Sequence, residues 1–141
     1  MSRVVAGVVG ALSVALACAG PPPGELAPCP PAPDAALVDS LGAKVRVDGG
    51  DPKRGAAVFD RMCARCHAPE AAARESRLFR SYPRLDCAPY VSQTSPGYLY
   101  TAIAEGGAAI RKRDLMKPFA AELTDGEISD LVEYIRRGGG Q

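Results

Sequence analysis

The run Cys63-Ala64-Arg65-Cys66-His67 constrains this chain more than any other feature. Two cysteines three apart on a turn of helix point to the same side. There each thiol can add across one vinyl group of a haem, and the next residue can turn its imidazole onto the iron. Cys-x-x-Cys-His is the spacing that this c-type attachment requires. Three rival origins account for part of the pattern. A thioredoxin-like pair sits after a strand in a βαβ unit, and no such unit surrounds this one. A structural zinc site could enlist Cys63, Cys66, His67 and distant Cys87, but adjacent Cys66 and His67 make an awkward tetrahedral pair. A chance match in an exported chain is the third. Haem accounts for every residue of the motif.

A length of 141 residues predicts one domain. The 17 Lys+Arg against 16 Asp+Glu leave a net charge of +1, so no global basic field exists to hold a phosphate backbone. Nucleic acid is therefore not an expected partner. From Asp51 onward the punctuation is helical. Asp51-Pro52 sets a capping oxygen ahead of a proline at the first helical position, and the helix should run into Cys63. Ser95-Pro96 repeats the device before 98–105, where Gly106 supplies a stop. Thr124 to Glu127 forms a capping box, and Ile128, Leu131, Val132 and Ile135 then line one helical face as far as Gly138. A further helix over 69–80 has a weak period. The fold class is all-α, with about four short helices around one haem.

The first 50 residues differ in character. Arg3 and the uncharged apolar run 4–17 form the pattern of a secretory signal, with residues 1–17 removed. Two processing routes fit: Ala15-Leu16-Ala17 suits a general signal peptidase, and the same residues with Cys18 resemble the bacterial lipoprotein box, which lipidates that cysteine. An uncleaved anchor is the alternative, though the run is short of the roughly 20 apolar residues that spanning needs. Seven of the 13 prolines fall between Pro21 and Pro33, giving a stiff tether of about 3.1 Å per residue. Asp34 can cap a short helix through Leu41, and 44–47 alternates like a brief strand. The expected domains are a signal over 1–17, a tether and lead-in over 18–50, and a haem domain over 51–138.

Around the haem motif the chain resembles the class I c-type cytochromes. Gly55 and Phe59 match that family's Gly-x-x-x-Phe/Tyr ahead of the attachment site, and Pro83-Arg84-Leu85 matches its Pro-x-Leu. Met116-Lys117-Pro118 resembles its distal Met-Pro segment with one residue inserted. Leu123-Thr124-Asp125 with Leu131 and Tyr134 resembles its terminal helix, which crosses the first. The resemblance covers about 51–138 and implies a one-electron carrier.

Ligand counting converges on the same residues. His67 is the only histidine, so the sixth ligand is a methionine, another side chain or nothing. Met62 precedes Cys63 on the proximal side and Met1 is removed or remote, which leaves Met116. The alternative for Met116 is core packing. Ligation by His67 and Met116 favours reduced iron and leaves little opening for oxygen or substrate. Leu85, Leu99, Ile103, Leu115, Phe119 and Leu131 are the expected apolar surround. No catalytic acid, base or nucleophile constellation is visible. The reading is a monohaem carrier in the bacterial periplasm, tethered to the membrane through lipid on Cys18 or else soluble there. Its alternatives are a haem relay subunit of a larger periplasmic oxidoreductase, and a peroxidase-like or ligand-sensing haem protein if Met116 is off the iron.

Two further expectations concern pairing and charge. With Cys18 lipidated or removed and Cys63 and Cys66 on haem, Cys29 and Cys87 remain to form a disulfide in an oxidising compartment. Closing nearly 60 residues would stabilise by roughly 4 kcal/mol in the chain-entropy view. Arg111-Lys112-Arg113 and Lys117 flank Met116 and either steer an acidic redox partner or form an ordinary solvated loop. The arginines at 74, 77, 80 and 84 suit haem propionates or a docking surface.

Overall fold

A computed structural model describes residues 28–69, 71 and 82–139. The signal segment, Cys18, the start of the tether, Arg74, Arg77 and Arg80, and nearly all of the helix expected over 69–80 lie outside the described residues. Six α-helices and one 3-10 turn make up the described part: α1 (Ala35–Lys44), α2 (Pro52–Met62), α3 (Ala64–His67), α4 (Ala88–Val91), α5 (Pro96–Glu105), the 3-10 turn (Gly107–Ile110) and α6 (Asp125–Arg136). No strand occurs among the described residues. Lys44 closes α1 instead of opening a strand, since 44–47 has no neighbour to complete a ladder.

Local signals explain where the long helices begin. The Asp51 carboxylate accepts from Lys53 N at 2.8 Å and Pro52 occupies the first turn of α2. Ser95 Oγ accepts from Tyr98 N at 3.1 Å ahead of α5. Thr124 and Glu127 form the reciprocal capping box of α6, with Thr124 N donating to Glu127 at 2.9 Å. These bonds occupy amide donors that a helix start leaves open.

Packing then assembles the body. α2 crosses α6, and α5 packs against both α6 and α1. Phe59, Tyr98, Ile128, Leu131 and Val132 are the fully buried large side chains, and the Phe59 and Tyr134 rings lie 5.3 Å apart. The α2/α6 crossing is closed at Gly55, where a Cβ would stand 2.1 Å from Asp130 O. α1 belongs to this body: Ser95 Oγ donates to Val38 O at 2.9 Å, and Val38 is buried. Cys29 and Cys87 are joined by a disulfide, so the lead-in is tied to the helices at a second point.

One buried charge sits at the crossing. Asp130, 4 % exposed, accepts from Asp51 N at 2.6 Å and from Arg54 Nε and Nη2 at 2.8 and 3.0 Å. The hydrogen bonds from Arg54 hold its carboxyl below the ordinary carboxylate range, and the Asp51 amide adds to them, against an opposing effect of burial. A group whose folded pKa is depressed contributes stability above its unfolded pKa and loses it as pH falls through the folded value. The protein is therefore expected to weaken below about pH 4. Asp130→Asn should flatten that acid limb in a circular-dichroism titration. An unchanged slope would show that the Arg54–Asp130 pair does not drive acid unfolding.

Candidate functional site

The end of α2 delivers Cys63, and the single turn of α3 carries Cys66 and His67 round to the same wall. Cys66 N and His67 N both donate to Cys63 O, at 3.0 and 2.9 Å. Neither thiol is in a disulfide. Burial, with Cys66 beside it, pushes the Cys63 thiol up to about 11, so it stays protonated at neutral pH.

His67 is 8 % exposed, and its Nδ1 lies 2.9 Å from Pro83 O. A carbonyl only accepts, so Nδ1 carries the proton and Nε2 keeps the lone pair. Burial lowers the imidazole pKa and the bond to Pro83 opposes it. The Tyr82 ring meets the imidazole edge-on at 6.1 Å. Fixing one ring nitrogen in this way orients the other as a metal ligand.

Met116 is held through its backbone. Gly107 N donates to Met116 O at 2.9 Å, and Phe119 N and Ala120 N donate to Ile103 O and Ala104 O at 3.0 and 3.2 Å. The loop around Met116 thus lies along the C-terminal half of α5. Gly106 permits the approach, because its φ of 86° suits glycine and a Cβ there would stand 2.7 Å from Met116 O.

Two adjoining cavities run between these elements. One, of about 530 Å³, is lined by Cys63, Cys66, Met62, Phe119 and Lys117 among others. The other, of about 190 Å³, is lined by Tyr90, Ile110, Lys112, Arg113 and Pro30-Pro31. His67, Tyr82, Leu115 and Met116 line both. Met62 and Met116 both line the larger cavity, and of the two only Met116 also lines the smaller one. Two free thiols, one imidazole nitrogen and the thioethers of Met62 and Met116 line the larger cavity, whose rim carries Arg61, Arg65 and Lys117, and the smaller cavity is mostly apolar; this donor set, in a cavity of ligand-site size, fits a haem c. Zinc does not fit: Cys87 is bound to Cys29, and no group of three or more His, Cys, Asp or Glu assembles for a metal among the described residues.

The apolar surround divides. Leu115 and Phe119 line the cavities, with Leu115 46 % exposed, whereas Leu85, Leu99, Ile103 and Leu131 are buried but line neither. Those four hold helices together behind the site. Arg84 donates to Asp86 at 3.0 Å. Of the basic loop, Arg111 pairs with Asp34 at 3.6 Å and Lys117 pairs with Glu122, while Lys112 and Arg113 are exposed beside the smaller cavity. Sequence reasoning missed Tyr82, Tyr90, Ile110, Pro30 and Pro31 as lining residues. Only Tyr82 had a local signal, in its place beside the Pro83-Arg84-Leu85 motif.

A family model described as "Cytochrome C oxidase, cbb3-type, subunit III" matches residues 50–135. Among curated proteins and solved structures, nothing matches this chain.

Proposed function

We propose, since this chain belongs to the family described as cytochrome C oxidase, cbb3-type, subunit III, that it holds one covalent haem c and passes single electrons between redox proteins. The domain is an electron-transfer module of c-type cytochrome. The observation that carries the finer reading is the convergence of Cys63, Cys66, His67 and Met116 on the lining of the larger cavity. Cys63 and Cys66 would hold the haem through thioethers, His67 Nε2 would bind the iron, and Met116 would supply the sixth ligand. When bound, the haem supplies a one-electron couple. The chain's own work is to hold the imidazole through Pro83 O, to present the Met116 sulfur from a loop pinned to α5, and to keep water off with the apolar wall of the smaller cavity.

The same reading assigns residues 51–138 to the haem domain and 18–50 to a tether and lead-in, with α1 docked on α5. It sets the protein in the bacterial periplasm, held by lipid on Cys18. The apolar run 4–17, the residues before Cys18 and the Cys29–Cys87 disulfide support an exported, oxidising setting. No helix among the described residues is long and apolar enough to cross a membrane. The family description favours a second reading, in which the chain is a relay subunit of a larger oxidoreductase. Co-purification of a stable complex from the membrane fraction separates the two.

The direct test is covalency. Haem should remain with the denatured polypeptide of the native chain and be lost from Cys63→Ala/Cys66→Ala. Haem extractable from the native chain by denaturation would overturn the attachment. The exposed Lys112 and Arg113, beside half-exposed Leu115, suit an acidic partner surface. Electron exchange with an acidic partner should slow as ionic strength rises from about 0.01 to 1 M, over which the screening length falls from about 30 to 3 Å. A rate independent of salt would leave the basic loop merely solvated.

A further inference from the structure

The smaller cavity has a wall that the haem motif does not explain. Pro30 and Pro31 line it together with His67, Tyr90 and Met116, although they lie in the proline-rich lead-in outside the matched residues 50–135. Their position is secured from both sides. Immediately before them Cys29 is bonded to Cys87, itself 3 % exposed at the start of α4. Beyond them Pro33 is buried, Asp34 caps α1, and α1 packs on α5. Asp34 also pairs with Arg111 at 3.6 Å, at the foot of the Met116 loop. Neighbouring prolines restrict the backbone and offer no N–H, so the segment is a stiff wall with no donor to attract water.

We propose that the disulfide-tied segment Cys29-Pro30-Pro31 is a wall of the haem pocket that excludes water from the haem edge remote from the thioethers and thereby raises the reduction potential. This rests on the haem reading above. Cys63 and Cys66 line only the larger cavity, so a haem held by them would turn its other edge toward the smaller one. In a porphyrin with two vinyl-derived thioethers, the carboxylate arms lie on that other edge. Lys112 and Arg113 are the cations lining the cavity there, with Tyr82 and Tyr90 beside them. Water admitted beside the haem stabilises the more highly charged ferric state, so removing the wall lowers the potential. The disulfide's role is positional: it keeps two prolines from swinging away with the tether.

The test compares holoproteins by redox titration and absorption. Cys29→Ser/Cys87→Ser, which frees the segment, should show a lower potential, with the absorption of sulfur-ligated ferric iron retained. Pro30→Gly/Pro31→Gly keeps the disulfide but loosens the wall, and it should shift the potential the same way by a smaller amount. If the cysteine variant does not fold, the proline variant decides alone. An unchanged potential in a folded variant with intact ligation overturns the wall while leaving the electron-carrier reading standing. Absence of the sulfur-ligation band from the native chain removes the haem reading itself, and the wall proposal falls with it.

Discussion

If Met116 is the sixth ligand as proposed, Met116→Ala is expected to abolish the weak far-red absorption band of sulfur-ligated ferric iron and to lower the reduction potential by on the order of 100 mV or more, within the roughly 0.8 V span that axial ligands control. The expectation follows from position. Met116 and His67 are the thioether and imidazole that line both cavities, and Met62 lines only the larger. A thioether favours reduced iron, so its removal destabilises the ferrous form and opens the sixth position to small ligands. The protein should then bind carbon monoxide readily while keeping its covalent haem through Cys63 and Cys66. Gly106→Ala should reproduce part of the effect, because the new Cβ would meet Met116 O at 2.7 Å. Persistence of the band in Met116→Ala would assign the sixth ligand elsewhere. A native protein that binds carbon monoxide as readily as the variant would favour the sensor or peroxidase-like reading.

Gly55→Ala should cost about 1–3 kcal/mol of stability or more, the range for forcing extra atoms into a packed contact. Two effects oppose one another here. Alanine in a helix interior is favoured over glycine by about 1 kcal/mol, and in an exposed helix that would win. At Gly55 the added carbon would stand 2.1 Å from Asp130 O and 2.8 Å from Tyr134 Cβ. The nearest atom is backbone in the middle of α6, which cannot rotate away. The helices must separate, loosening the contact between Phe59 and Tyr134 and the Arg54–Asp130 pair at the same crossing. Against a typical stability of about 5–15 kcal/mol, that is a large fraction. The midpoint of urea unfolding is the measurement, and a raised midpoint would show that α2 and α6 can part at no cost.

Much of this molecule is legible along the chain. The beginnings of α2, α5 and α6 rest on Asp51-Pro52, Ser95-Pro96 and Thr124 with Glu127, each acting on amides within three residues. The stops after α5 and α6 fall near Gly106 and Gly138, both at positive φ. The one-turn α4 and the 3-10 turn have no periodic signal, since four residues are too few to display one. Residues 34–50 depart furthest from their sequence pattern. Asp34 does cap α1, but the helix extends to Lys44 and packs on α5 instead of serving only as a lead-in. Its apolar face is narrow, with Val38 alone buried, so the pattern carries little indication of that contact.

By itself the sequence determined the chemistry that acts over short range: two thiols and an imidazole at the spacing haem attachment needs, helix starts set by caps, and a methionine left over by counting. These follow from neighbouring residues, whose geometry is dictated by the helical repeat and the proline ring. Only the tertiary structure decided what surrounds that chemistry. Pro83 O fixing His67, Gly106 admitting the Met116 loop, and Pro30 and Pro31 standing beside Tyr90 are meetings between segments far apart in the chain. Such contacts depend on how helices cross and on where a disulfide ties the lead-in. Local patterns mark Pro83 and Gly106 without recording what they meet, and Pro30, Pro31 and Tyr90 carry no local signal at all.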